Sequence, residues 1–356
     1  MLRDTIVHLL RDNYTESKIR GKKSYFLERQ QIQSLSEFRT QSEIVAFLAD
    51  SPYGPELSKL PESANPAEIE QTVRESVART IENLEQSSKG SVHDFISEYR
   101  KRIDARDLAN LFIYKLQGRP WEDYVQTRHP FATTRERDLR RLYNVDNPRT
   151  LTEIMSEDGV LGERLEDVSF DRLTTDKIAL IRDIIVGWGD ERFYNFVSKK
   201  LSGRDRAKCL PIIGSTLDLG NVAVILRGKI LGLANIREHL VPAGWKLDEK
   251  SLKLLLTSED VQQALDRVGQ DRYYRNVLPG ARQKYDETKS LAFLEILTRE
   301  HLLRLAREIF LGVPYTIGVL LAFLVVKENE GQNVAAIISG VDAKLPSERI
   351  RPLLAA

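Results

Sequence analysis

Two Gly-Lys pairs, Gly21-Lys22 and Gly228-Lys229, are the places where this chain comes nearest to phosphate chemistry. A phosphate loop closes on such a pair, but it also needs a glycine five positions earlier and a Ser or Thr after it. The glycine lets backbone N–H groups cradle the phosphate, and the hydroxyl reaches Mg²⁺. Glu16 and Lys23 occupy those positions around the first pair, and Ala223 and Ile230 around the second, so neither meets the requirement. Metal and acid–base chemistry fare no better. His8, His93, His129, His239 and His301 show neither an HExxH pattern nor His/Cys ligand spacing, and each is expected to be a separate surface residue. Cys209 has no candidate base near it in sequence and reads as a packed or idle thiol. No catalytic residue, cofactor or metal is expected.

A different set of polar residues recurs. Segments beginning at Asp107, Asn221 and Asn333 each run Asp or Asn, an aliphatic residue, then Ala, and each is preceded three residues earlier by an acid: Asp104, Asp218 and Glu330. Ala109, Ala223 and Ala335 stand 114 and 112 positions apart. Three apolar i, i+3, i+4 patches keep the same order: Ile44, Phe47, Leu48; then Leu151, Ile154, Met155; then Val261, Ala264, Leu265. The chain therefore reads as three copies of one unit of about 110 residues, larger than the 20–50 residues of common solenoid repeats. The boundaries are placed at 1–125, 126–240 and 241–356. Three such units pack more naturally around a pseudo-threefold axis than into an open rod. In a ring, the acids and the basics Lys115, Arg227 and Lys229 would face the axis and form a polar socket. The competing view is a solvated helix face with local pairs worth ~0.2–0.5 kcal/mol each. On the socket view, reversing Arg227 and Lys229 would weaken assembly and leave melting unchanged. Gly228 and Gly340, seven positions after the repeat's Asn, are expected to allow close helix packing, whereas Tyr114 fills that place in the first copy.

The elements that carry these residues are helical almost throughout, because no long stretch alternates with period two. Val92, Phe95, Ile96, Tyr99, Ile103, Leu111 and Phe112 keep one apolar face, which predicts a helix of about 26 residues or ~40 Å, closed by Gly118 and Pro120. The fold class is all-α, as three homologous helical-bundle domains. Phe310 to Val326 is an apolar run at the lower limit for a membrane span. Gly312 and Pro314 interrupt it, so a buried bundle helix is expected, starting near Pro314. Across 356 residues, Lys plus Arg number 53 against 52 for Asp plus Glu, so no summed field draws nucleic acid. One cysteine and no basic-then-apolar leader point to a reducing cytoplasm.

Residues 311–340 resemble the C-terminal signature of the C subunit of archaeal-type and bacterial vacuolar-type rotary ATPases, known as the d subunit in eukaryotes. Pro314, Ile317, Gly318, Ala322, Lys327, Glu328, Glu330 and Asn333 carry the match. The stretch from Tyr14 to Ser24 is similar to that family's opening, with Lys18 and Gly21 for the usual Arg and Ala. Leu48 to Gly54 is similar to its L-x-x-T-x-Y-G segment, with Ser51 for Thr, and Asp218 to Lys229 to its middle element. Glycine at 220 and 331 departs from the pattern. The resemblance implies an all-helical funnel of three domains on the cytoplasmic face of the membrane, peripheral to it. Such a subunit makes and breaks no bond. It couples a central shaft of D-type and F-type subunits to the membrane rotor ring, moving protons or sodium with ATP synthesis or hydrolysis. Arg20, Lys22, Asp104, Asp107, Lys115, Asp218, Asn221, Arg227, Lys229, Glu330 and Asn333 are the candidate rotor-interface residues. An all-helical scaffold or adaptor outside any rotary machine is the alternative.

Overall fold

The computed structural model describes residues 26–61, 63–156, 158–242, 244–312 and 316–355. Arg20, Lys22 and the Tyr14–Ser24 motif lie outside these residues, as does Pro314. The described residues form seventeen α-helices, three short 3₁₀ turns and no strand, so the all-α expectation holds. Six helices exceed eighteen residues: Pro66–Ser87, Ser91–Leu116, Thr175–Lys200, Gly203–Ile230, Phe293–Leu311 and Ile317–Asp342.

Local chemistry accounts for their ends. Asn65 accepts from the Glu68 N–H while the Glu68 carboxylate reaches back to the Asn65 N–H, and Pro66 supplies a pre-set φ at the first position. Thr174 caps the Thr175–Lys200 helix through the Lys177 N–H. The predicted 26-residue helix is found as Ser91–Leu116, with Gly118 left-handed at φ 65° after it. The Phe310–Val326 run is broken as expected: one helix ends at Leu311 and the next begins at Ile317, with Ile317 through Leu324 buried. The one described helix long and apolar enough to cross a membrane is Gly203–Ile230, and most of its apolar window is buried inside the protein. Glycine at 220 and 331 interrupts neither helix that contains it.

Three of the long helices stop in the same way. In the first, the Gly118 N–H donates to Lys115 O and the Arg119 N–H to Tyr114 O, at 3.0 Å each. The same pair of bonds recurs from Gly232 to Lys229 O (3.2 Å) and Leu233 to Gly228 O (2.9 Å), then from Lys344 to Val341 O (3.0 Å) and Leu345 to Gly340 O (2.9 Å). This is the six-to-one and five-to-two closure that satisfies orphan carbonyls, and it needs a left-handed residue. Gly118, Gly232 and Lys344 supply it at φ 65°, 67° and 54°, with the same spacing as the three repeat alanines. Lys344 is the strained member, since a Cβ disfavours that region. One turn earlier, a Cβ on Gly228 would lie 2.8 Å from Ile236 Cγ1, and one on Gly340 would lie 2.8 Å from Ile350 Cγ1. The close packing expected of these two glycines is therefore present. Tyr114 in the first copy instead packs its ring edge-on to Tyr124, with centroids 6.2 Å apart.

The contacts divide the chain into two compact units. One comprises the described residues up to Ser97 together with those from Arg299 on; the other runs from Glu98 to Thr298. In the first unit the Ile317–Asp342 helix packs on Pro66–Ser87, whose Ile69, Val73, Val77, Ile81 and Leu84 are buried. In the second, Gly203–Ile230 lies along Thr175–Lys200 over one continuous core. The buried Arg102–Asp190 ion pair belongs to that unit, and Gly189 lets Ala105 approach so closely that a Cβ would meet it at 2.3 Å. The three short patches form helices Gln41–Leu48, Pro148–Met155 and Val261–Gln270. Ile154 departs from its expected role and is 52% exposed, because the helix turns only Leu151, Thr152 and Met155 inward.

Candidate functional site

The repeated acids sit in the second half of the three long helices, and each holds a distant piece of chain. Asp218, fully buried, accepts the backbone N–H groups of Trp245 (3.0 Å), Lys246 (2.7 Å) and Leu247 (3.0 Å), and the Tyr274 hydroxyl at 2.6 Å. Asn221, one turn on, closes a two-way bond with Val241. Its Oδ1 accepts from Val241 N at 2.9 Å and its Nδ2 donates to Val241 O at 3.0 Å. The 245–247 loop thus forms an anion nest of three backbone N–H donors around the Asp218 carboxylate, and the bonds are charge-assisted.

The first copy does the same with different atoms. Asp104 accepts the Thr134 N–H at 3.1 Å and both the N–H and hydroxyl of Thr133. Asp107 accepts the His129 N–H at 3.1 Å and the Tyr124 hydroxyl at 2.9 Å, with Arg128 Nε at 3.5 Å. Burial pushes the Asp107 carboxyl above the usual range, and the His129 and Tyr124 donors oppose that shift.

In the third copy the partners come from both ends of the sequence. Glu330 accepts the Leu27 N–H at 2.6 Å, the Tyr53 hydroxyl, and Lys327 Nζ at 2.6 Å. Asn333 makes the two-way bond with Ala355, accepting from its N–H at 3.1 Å and donating to its carbonyl at 2.7 Å. Arg299 Nη2 adds a bond to Asn333 Oδ1 at 2.6 Å, and Asn329 Nδ2 donates to the same Ala355 carbonyl at 2.9 Å. Lys327 is buried between the Phe26 and Tyr53 rings, 5.3 and 5.1 Å from their centroids. Burial, and then the Glu330 charge, hold the Tyr53 phenol well above its ordinary value, so it stays a donor. Gly54 beside it has no room for a side chain, because a Cβ would lie 1.9 Å from the Ala49 carbonyl oxygen. Tyr53, Gly54, Lys327, Glu330 and Asn333, which are distant in sequence, thus belong to one buried arrangement.

The residue at the Asn position reaches 22, 20 and 22 positions down the chain in the three copies. The acids of the first two copies hold segments 27 to 30 positions on, and Glu330 holds Leu27 and Tyr53 instead. The basics behave alike. Lys115 Nζ donates to Tyr143 O at 2.6 Å, Lys229 Nζ to Leu256 O at 3.1 Å and to Ser258 O, and Arg227 pairs with Asp183. All nine candidate residues in the described part of the chain therefore have partners within the chain, most of them far away in sequence. Local pairing on a solvated face does not describe them. Reversing Arg227 and Lys229 to Glu is now expected to lower the melting temperature by several degrees, since two backbone carbonyls and Asp183 lose their cations. An unchanged melting curve would refute this.

Sequence reasoning found the acids by repetition and named Tyr53 only within the Leu48–Gly54 motif, and it did not see that Tyr53, Tyr124 and Tyr274 complete them. A tyrosine nine positions past the patch start at Ile44, and another thirteen past Val261, were the available signal. Two histidines also depart from the surface expectation. His239 is buried with Nδ1 2.6 Å from Arg164 O, and His301 is buried beside Arg304, where burial and then that guanidinium lower its pKa to about 4. Cys209 is buried, which raises its thiol pKa. Among the described residues no group of three or more His, Cys, Asp or Glu could hold a metal ion.

Residues 15–353 match the family model described as ATP synthase (C/AC39) subunit. The chain is 26% identical over 352 residues to the C subunit of the A-type ATP synthase of Methanothermobacter thermautotrophicus, covering 96% of this chain and 87% of that protein. It is 27% identical over 348 residues to the protein of the same description from Thermococcus kodakarensis, with 95% and 89% covered. For that of Methanocaldococcus jannaschii the figures are 24% over 355 residues, with 96% and 85% covered.

Proposed function

The chain belongs to the ATP synthase (C/AC39) subunit family, and from that premise we propose that it is a non-catalytic rotor component, coupling a central shaft to a membrane rotor ring. The observation that carries this is the match along almost the full length to C subunits of A-type ATP synthases. The site geometry supports it: the polar residues that recur are spent on fixing loops to long helices, and stiffness of this kind is what a torque-carrying part requires. The reading brings with it three domains, 1–125, 126–240 and 241–356, in a pseudo-threefold funnel peripheral to the cytoplasmic face of the membrane. Its partners are D-type and F-type shaft subunits and the ring.

In this reading Asp104, Asp107, Lys115, Asp218, Asn221, Arg227, Lys229, Glu330 and Asn333 serve the rotor interface by holding the loops that meet the partners. The contacting atoms then belong mainly to those loops. Arg20 and Lys22 remain candidate contacts. A stable interface of this kind buries more than ~1,200 Å².

The test is reconstitution of the complex with and without the chain. With it present, ATP hydrolysis should drive ion transport. Without it, the head should still hydrolyse ATP while transport is lost. A complex that transports equally well in its absence would end the proposal.

A further inference from the structure

The helix Glu136–Tyr143, with Arg135 at its N-cap, carries four arginines within seven residues: Arg135, Arg137, Arg140 and Arg141. All four are exposed, whereas Leu139 is buried and Leu142 and Tyr143 are half-buried, so the helix rests on its apolar side and turns a cationic side outward. Arg137 lies three and four positions from Arg140 and Arg141, which puts the three guanidiniums on one face. Like charges at that spacing weaken a helix, and only Arg140 and Arg141, in its last turn, gain from the helix dipole.

Acids nearby leave these charges largely unused. Asp138 lies 3.5 Å from Arg137 Nε and 3.9 Å from Arg141 Nη1, at or beyond hydrogen-bond reach, and those arginine side chains are 66% and 74% exposed. Arg140 rests over the Trp121 ring at 5.8 Å, keeping its N–H donors available. The platform beneath is fixed. Trp121 and Tyr143 pack edge to face with centroids 5.5 Å apart, and Lys115 holds the Tyr143 carbonyl. A fixed face loses little freedom when it docks.

We propose that this arginine face docks an acidic segment of another subunit, one that presents carboxylates spaced to take two guanidinium forks. The proposal rests on the reading of the chain as part of a multisubunit assembly. Three observations choose a protein partner over other polyanions. The cluster is all arginine, the cation enriched at protein interfaces and matched to carboxylates in bidentate geometry. The chain's net charge is +1, so no summed field draws a polyanion to it. A helix that binds a lipid surface exposes aromatic or leucine side chains to enter the headgroup layer, and here they are turned inward.

The experiment measures the association rate of the labelled full chain with complex purified without it, across a KCl series. For Arg137→Glu/Arg141→Glu the rate should fall about 10-fold at low salt and converge with wild type at high salt. Arg137→Lys/Arg141→Lys should fall between, and neither variant should change the melting curve. Equal rates at every salt concentration overturn the proposal. Wild-type binding to phosphatidylglycerol vesicles that the Glu variant loses would also overturn it, giving the face to a membrane. If the wild-type chain itself fails to associate, the assembly reading falls and this proposal with it. That failure is told apart because it shows in the wild-type arm.

Discussion

Glu330→Ala is expected to destabilise the protein by ~3–5 kcal/mol, the usual cost of removing one partner from a buried ion pair. Lys327 and Glu330 have side chains only 4% and 3% exposed, so the ammonium left behind has no route to water. The Tyr53 hydroxyl and the Leu27 N–H lose their acceptor in the same step. Two further variants separate these effects. Lys327→Met/Glu330→Leu removes both charges and should recover part of the loss, because the cost lies mainly in an uncompensated charge rather than in a missing attraction. Glu330→Gln keeps an acceptor for Leu27 and Tyr53 but leaves Lys327 unneutralised, and should fall between wild type and alanine. Denaturant unfolding gives the ranking, and hydrogen exchange at the Leu27 amide should quicken in the alanine variant. A Glu330→Ala midpoint equal to wild type would show that the cluster does not hold the segment.

How far this arrangement could be read from sequence depends on the range of the interactions. Helix ends were legible because they are local. Gly118 after an apolar face predicts the stop found at Leu116, and the interruption at Gly312 separates the two helices found on either side. The recurring Asp/Asn–aliphatic–Ala segments were legible because they are short and similar in sequence. The three like helix closures at Gly118, Gly232 and Lys344 emerged only from the backbone. A repeat search would not weigh Lys344 as the equivalent of two glycines.

What the acids do was not legible. Their partners lie from 17 positions away, for Tyr124 and Asp107, to 56, for Tyr274 and Asp218, or at the opposite end of the chain for Glu330, and no local pattern joins Leu27 to Glu330. The spacing of three that suggested an outward polar face is also the spacing that aims two side chains at one incoming loop. Burial decides between these, and burial is a tertiary property. His239 illustrates the limit, since a lone histidine in a charged stretch gives no sign that Arg164 O is waiting for its ring nitrogen.

Asp218→Ala is the second large expected effect, at ~3–4 kcal/mol. Four donors lose one acceptor. Two of them, the Leu247 N–H and the Tyr274 hydroxyl, are buried, and each unsatisfied buried group costs ~1–3 kcal/mol. The Trp245 and Lys246 N–H groups are part-buried and can turn to water, so they add less. Asp218→Asn should not rescue the site. An amide presents its own N–H donors to a ring of donors, so shape is kept while the charge-assisted bonds are lost. Tyr274→Phe removes a single bond and should cost only ~1 kcal/mol. Burial, and then the Asp218 charge, raise the Tyr274 phenol, so that bond persists across the pH range in which the protein is handled. The loop is also seated sterically: a Cβ on Gly214 would lie 2.4 Å from Trp245 Cγ, so the indole already covers the helix at that point. If steric seating alone held the loop, Asp218→Ala would unfold like wild type and Gly214→Ala would be the damaging change. If the carboxylate holds it, the alanine and asparagine variants at 218 should both free the 245–247 amides to exchange, with Tyr274→Phe close to wild type.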